Sequence, residues 1–148
     1  MSNKIIRSLV LAFAGLAYQA HGAAITVPPG LNPGDTYRIL FFTSTTRDAT
    51  SSNIADYNTF VTNAANLDPN MVLLSTTWSA LASTLTVNAL TNAGLSASDT
   101  TTRFFNTSGQ LIATGVTGRS SALYAGTETT NHLANILDES GTPGSTWV

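Results

Sequence analysis

His132, Ser120, Ser121 and Asp138 are the residues from which a nucleophilic site could be assembled. A serine hydroxyl attacks only when an imidazole takes its proton and an acid orients that imidazole. The spacing does not supply the rest. The turn that exposes such a serine has the form Gly-x-Ser-x-Gly, and Gly118-Arg-Ser-Ser-Ala122 lacks the closing glycine. Serines are so abundant that nearness to one histidine selects none of them, and His132 reads as a half-exposed residue on a strand edge. Metal chemistry fares no better. With no cysteine and only His132 outside a removable leader, ordinary zinc sites are excluded. Asp48, Asn53 and Asp56 lie close in sequence, and Asp138-Glu139 makes an acidic turn, but neither follows the oxygen-ligand spacing of an EF-hand loop. Glycoside hydrolysis would need two carboxylates flanking one bond. No spacing selects such a pair, so the acids read as solvated charge. The sequence assigns no catalytic, cofactor-binding or metal residue.

Residues 1–24 read as a cleavable signal peptide. Lys4 and Arg7 give a basic start, and Leu9-Val-Leu-Ala-Phe-Ala-Gly-Leu-Ala17 gives an apolar stretch. At roughly 10 to 13 residues that stretch falls short of the ~20 that span hydrocarbon as a helix. Ala20-His-Gly-Ala-Ala24 then places small residues at cleavage-site spacing, with cutting after Gly22 or after Ala24. A short amphipathic or buried N-terminal helix is the alternative, but uniform apolarity flanked only by cations does not suit a core helix. The expectation is export, with residues 25–148 forming a single domain.

Loss of Lys4 and Arg7 leaves four cations against eight acids, a formal charge of −4. No basic patch remains to meet nucleic acid, whose binding is dominated by cation–phosphate contacts, or to hold anionic lipid. About 125 residues suffice for one domain. The absence of cysteine means that an exported chain must fold without disulfides, and it also excludes the lipid-bearing cysteine of a bacterial lipoprotein. Nothing after residue 24 is apolar for long enough to form a membrane helix. Charged residues are only 9% of the chain, against about a quarter in ordinary domains. Ser, Thr and Asn take their place, a composition that favours strands and loops. Such a surface is either simply an exported surface of low charge or one suited to sugars and other neutral polymers.

The elements that must position these residues follow from pattern. Val27-Pro-Pro-Gly-Leu-Asn-Pro-Gly34 is an extended lead-in that turns at Asn32-Pro-Gly34. Tyr37-Arg-Ile-Leu-Phe-Phe-Thr43 predicts a central strand covered on both faces. A polar loop, Thr43 to Ser52, ties itself down through side-chain-to-backbone bonds and leads to one helix over Asn53 to Asn66. There Ile54, Tyr57, Phe60, Val61 and Ala64 form an apolar stripe facing that strand, Asn53 is the N-cap, and Asp56 suits the positive end of the helix dipole. Pro69 ends the region. Met71-Val-Leu-Leu74 and Trp78-Ser-Ala-Leu-Ala82 predict short strands, and Thr84 to Asp99 a loop with one short element. Arg103-Phe-Phe-Asn106 and Gln110-Leu-Ile-Ala113 predict a hairpin around Asn106-Thr-Ser-Gly109. A weaker set follows in Ser121-Ala-Leu-Tyr124, His132-Leu-Ala-Asn-Ile-Leu137 and the turn Asp138-Glu-Ser-Gly141. Ser145-Thr-Trp-Val148 reads as the start of a further strand.

Leu31-Asn-Pro-Gly-Asp-Thr-Tyr-Arg38, the loop–helix stretch from Leu40 to Asn58 and Thr77-Trp-Ser-Ala-Leu-Ala-Ser-Thr84 resemble, in this order, a group of bacterial exported proteins that often end in a PEP-CTERM sorting tail. The likeness runs on more loosely through Arg103–Ala113 and Ile136–Gly141 to Trp147. It implies an α+β fold of C-type-lectin-like architecture, one main early helix packed on a small, twisted, largely antiparallel sheet. The sorting tail is missing here, and chains of the group continue beyond the position of Trp147, which sets the expectation of a domain incomplete at its C-terminus. The Glu-Pro-Asn, Gln-Pro-Asp and Trp-Asn-Asp motifs of calcium-dependent sugar-binding lectins do not occur, so the fold implies no calcium site.

These readings imply a non-enzymatic envelope or extracellular-matrix protein, exported to the periplasm, cell surface or medium. Exopolysaccharide or envelope components are its expected partners, with no nucleic acid and no membrane insertion once the leader is cut. The alternative is a secreted hydrolase acting on polysaccharide or protein.

Overall fold

The computed structural model describes residues 28–117, 121–123 and 136–143. The leader and residues 144–148 lie outside them. Two consecutive turns begin the described chain. Leu31 N–H donates to Pro28 O at 3.3 Å and Asp35 N–H to Asn32 O at 3.0 Å. In each, a proline presets φ and the next residue is a glycine at positive φ, the type II pattern. The Asp35 carboxylate accepts from Asn32 N–H at 3.0 Å and pairs with Arg103 at 2.8 Å, which fastens the lead-in to the sheet.

The expected single strand over residues 37–43 is divided. Tyr37–Ile39 (β1) and Phe41–Phe42 (β2) belong to different sheets. β1 pairs in parallel with Arg103–Phe105 (β3), which pairs antiparallel with Leu111–Thr114 (β4). β2 pairs in parallel with Leu137–Asp138 (β5). Leu40 N–H donates to Phe105 O at 2.8 Å, the last rung before β3 turns away, so from Phe41 onward another partner must satisfy the backbone. The central strand of the larger sheet is therefore β3. β1 is an edge strand, half-buried rather than covered on both faces. The expected antiparallel character is also corrected, because among the described residues two of the three strand pairings are parallel. A long crossover separates β2 from β3, and such a connection can return the chain in its original direction, as a hairpin cannot. What holds is the coarser description, a mixed α+β fold with small sheets and short helices.

The hairpin β3–β4 forms as its sequence predicts. Asn106 Oδ1 accepts from Ser108 N–H and Gln110 N–H, at 3.0 and 2.9 Å, and Gly109 takes φ +77°. Phe104 and Phe105 point to opposite faces, as neighbours in a strand must, yet both are 2% exposed. β3 is thus covered on both sides. Phe104, Ile112, Ala113 and Val116 form the core, joined by Leu40, Leu90, Leu95, Leu123 and Ile136. Phe105 meets Tyr37 edge-on, with ring centroids 5.9 Å apart.

Helix α1, Ile54–Ala65, also matches expectation, with Asn53 Oδ1 accepting from Ala55 N–H at 3.1 Å. Its stripe runs from half-buried Ile54 to buried Ala64, and Tyr57 and Phe60 border a small cavity together with Phe42 and Thr43. Pro69, however, opens a helix. It is the first residue of α2, Pro69–Leu73, whose cap Asp68 accepts from Asn70 N–H and Met71 N–H. A proline lacks the N–H that a helix start leaves unpaired, so the expected strand at residues 71–74 is mostly a helical turn, burying Met71 and exposing Val72 and Leu73. The expected strand at residues 78–82 is irregular. α3, Ala89–Asn92, is the short element anticipated before Asp99. Ser121–Leu123 turn rather than extend, with Thr114 N–H donating to Ser121 O and Leu123 N–H to Gly115 O. Of the expected strand at residues 132–137 only Leu137 falls in β5, and residues 132–135 lie outside the described chain.

Where β4 ends, the chain is pressed against residues 99–102. Gly115 N–H donates to Thr102 O and Val116 N–H to Asp99 O, both at 2.7 Å. Gly115 has φ +82°, and a Cβ there would sit 2.8 Å from Thr100 Cα. Gly115→Ala is expected to lower stability by about 2 kcal/mol or more in denaturant titration. Gly30→Ala, at the same φ but facing open space, should lose only about 1 kcal/mol.

The same turn predicts a pH dependence. The Thr102 hydroxyl, the Thr102 N–H and the Thr101 N–H all donate to the Asp99 carboxylate and hold it down to about 2, from an ordinary 3.8. Because the folded value is depressed, this contribution is complete above the ordinary carboxylate range and fades as pH falls toward 2. Melting temperatures recorded from pH 5 to 2 should drop for the native chain, and Asp99→Asn should flatten that part of the profile.

Candidate functional site

A cleft of about 330 Å³ opens along β1. Residues 37–40 form one part of its lining, Leu74, residues 76–79 and Leu81 another, and Ala93 and Leu95 after α3 a third, with Phe104 and Leu123 reaching it from the core. Residues 75–88 carry no regular structure, so their backbone groups cannot find partners in a ladder. The segment leaves α2 through Ser75, at φ +48° the only non-glycine residue with positive φ among the described residues. Side chains then take over. Asn58 and Asn92 exchange amide hydrogen bonds of 3.0 and 2.8 Å, Asn58 Oδ1 accepts from Ala80 N–H at 2.9 Å, and Asn92 Nδ2 donates to Ala80 O at 2.7 Å. Thr62 Oγ1 adds a 3.4 Å bond to Trp78 O. Two amides on two helices thus hold both polar groups of Ala80, the buried residue between the lining residues Ser79 and Leu81.

Trp78 lies against Phe41, the ring centroids 5.2 Å apart and the planes nearly perpendicular. Its indole N–H has no acceptor among the described residues. No buried side-chain nitrogen or oxygen there lacks a partner, so this N–H reaches solvent. Thr76, Thr77 and Ser79 add hydroxyls to the lining. Arg38 donates through Nη2 to Gly94 O at 3.3 Å. That carbonyl is offered by the end of α3, where Gly94 N–H donates to Thr91 O and Leu95 N–H to Leu90 O, a Schellman closure. Gly94 takes the left-handed φ of +63° that this closure needs, and Leu95 packs into the core.

The residues weighed from sequence fall elsewhere. His132 and Ser120 lie outside the described residues. Ser121 is exposed. The Asp138 carboxylate is committed to its own turn, where Oδ1 accepts from Ser140 N–H, Ser140 Oγ and Thr142 N–H. Asp48 accepts from Thr50, Asn53 caps α1, and Asp56 accepts from Ser51 and lies 3.9 Å from Arg47. No group of three metal-ligating side chains occurs among the described residues. The reading of the acids as solvated charge needs correction. Asp68, Asp138 and Glu139 are 8%, 8% and 4% exposed. Glu139 accepts from Ser44 N–H at 2.9 Å and from the Ser44 hydroxyl. A buried carboxylate must have donors, and here hydroxyls and backbone N–H groups supply them. The 43–52 loop does tie itself down as expected: Arg47 stacks 4.7 Å over the Tyr57 ring and donates to Asp56 O, and Tyr57 Oη donates to Ser51 O.

Sequence reasoning missed Arg38, Asn58 and Asn92. Asn58 carried a signal, as an amide four residues after Ile54 on a stripe that is otherwise apolar. Asn92 and Arg38 carried none. Removing either amide leaves a partly buried group of the other unpaired. Asn58→Ala and Asn92→Ala are each expected to lower stability by about 1–3 kcal/mol. The double variant should lose clearly less than the sum of the two in the same unfolding assay.

No family model, no curated protein and no solved structure matches this chain.

Proposed function

We propose that the chain is a non-enzymatic exported protein of the bacterial envelope or extracellular matrix, and that it binds exopolysaccharide in the Tyr37–Trp78 cleft. The finer C-type-lectin-like description and the kinship with PEP-CTERM-type proteins belong to this proposal, on the sequence resemblance. The observation that carries it is the lining of the cleft. An indole with a solvent-reaching N–H stands with the hydroxyls of Thr76, Thr77 and Ser79, which bond to no other described residue. Aromatic faces cover apolar C–H surface, and uncommitted hydroxyls both donate and accept. A ligand with alternating C–H faces and hydroxyl groups, a polyol or sugar, matches both. The low charge of the chain and its Thr- and Asn-rich composition support the same class of partner.

Trp78 provides the test. In a Trp147→Phe background it is the sole tryptophan. Titration with soluble bacterial exopolysaccharide should change its emission saturably, and Trp78→Ala, measured by calorimetry, should weaken binding at least about tenfold. A flat titration with a folded protein would sink the reading. Release of reducing ends or peptides by the wild-type chain would replace it with the hydrolase alternative.

A further inference from the structure

We infer that the cleft recognises an acidic saccharide, a uronate-bearing polymer, with Arg38 as the reader of its carboxylate. This rests on the binding reading of the cleft and adds the class of sugar. The described residues include three arginines. Arg103 pairs with Asp35 at 2.8 Å and Arg47 with Asp56 at 3.9 Å. Arg38 has no carboxylate within ion-pair distance among the described residues, and it is the one of the three that lines the cleft. Its guanidinium is fixed rather than loose, since Nη2 is held by the Gly94 carbonyl. The remaining N–H donors of the group are left for a ligand. A guanidinium presents parallel donors that match a planar carboxylate in a bidentate pair, and the charge roughly doubles the strength of such bonds. The surroundings sharpen the point. With four cations against eight acids outside the leader, the protein as a whole repels polyanions. Preference for an acidic polymer would have to come from a local feature, and Arg38, which lines the same cleft as Trp78, is that feature.

The experiment compares polygalacturonate, its fully methyl-esterified form and dextran sulfate against the whole exported chain, by Trp78 emission in the Trp147→Phe background and by calorimetry. Polygalacturonate should bind about tenfold or more tightly than the methyl ester, with an affinity that falls as salt rises. R38Q should erase that difference, bringing the affinity for polygalacturonate down to that for the ester. R38K should restore only part of it, because a point charge lacks the planar fork. Equal binding of the acid and the ester would overturn the inference and leave the cleft reading standing. Equal loss of both polymers in R38Q would also overturn it, making Arg38 a brace for Gly94. Dextran sulfate binding as tightly as polygalacturonate would overturn carboxylate recognition in favour of charge alone. Binding of none of the three would refute the cleft reading itself.

Discussion

Ala80 is held at both its N–H and its C=O by side chains from two different helices, and the cleft depends on that grip. The stretch that forms the cleft wall, residues 75–88, is long for a structureless connection inside a small domain. Such loops are usually either functional or poorly ordered. This one is ordered because the Asn58–Asn92 pair substitutes for a strand neighbour. Each amide is both donor and acceptor, so the two can face each other and still reach the Ala80 backbone. Trp78 takes its place two residues earlier, with Thr62 on its carbonyl and Phe41 against its ring. The wall therefore reports the position of α1 and α3 relative to β2. An aromatic side chain placed this way is positioned by hydrogen bonds on the backbone beneath it.

The rest of the architecture follows from β3. Covered on both faces and bonded along both edges, it is the strand against which everything else is registered. β1 lies on one side of it in parallel, which requires the long crossover that carries α1, α2 and α3 between them. The chain after Phe42 therefore travels out through the polar 43–52 loop, and Glu139 seizes that loop at Ser44. The loop's far end is secured by Arg47 on Tyr57 and Asp56. Loop, helix and β5 turn are thus one connected unit built from single hydrogen bonds rather than from a deep hydrophobic layer. The core proper is small, centred on Phe104 and Val116.

What was legible in the sequence was local. The Asn53 cap, the apolar stripe of α1, the Asn106–Gly109 turn and the Asn32–Gly34 turn of the lead-in are each specified by residues within a few positions of one another, and each formed as read, whereas residues 28–31 read as extended chain and turn instead. The failures were non-local or rested on apolar runs too short to carry a period. Residues 37–43 look like one buried strand because Ile39, Leu40, Phe41 and Phe42 follow one another and put apolar side chains on both faces. Only the end of β3 at Asn106 decides that the run must change partner at Leu40. Residues 71–74 read equally well as strand or helix, and the preceding Asp68-Pro69, a cap followed by a first-turn proline, settles the matter. The candidate site was the least legible part. Arg38 and Trp78 are forty residues apart in sequence, and the Asn58–Asn92 pair that brings the wall toward β1 spans 34. No motif spacing encodes such a meeting.

The scarcity of charge links the fold to the site. Most of the acids among the described residues are not satisfied by cations. Asp68 caps a helix, Asp99 and Asp138 close turns, and Glu139 holds Ser44, each through N–H groups or hydroxyls. The abundance of Ser and Thr is therefore structural as much as superficial, since these residues provide donors where a chain with more Lys and Arg would use ion pairs. Only Asp35 and Asp56 draw on arginine among the described residues. Internal carboxylates hydrogen-bonded in this way keep their charge but lie beyond ion-pair distance of Arg38, whose bond to the Gly94 backbone carbonyl leaves its charge intact. A domain that settles its own acids with hydroxyls can keep a cation in a cleft without surrounding it by counter-charges, and that is the condition under which a single guanidinium can discriminate between an acidic and a neutral sugar.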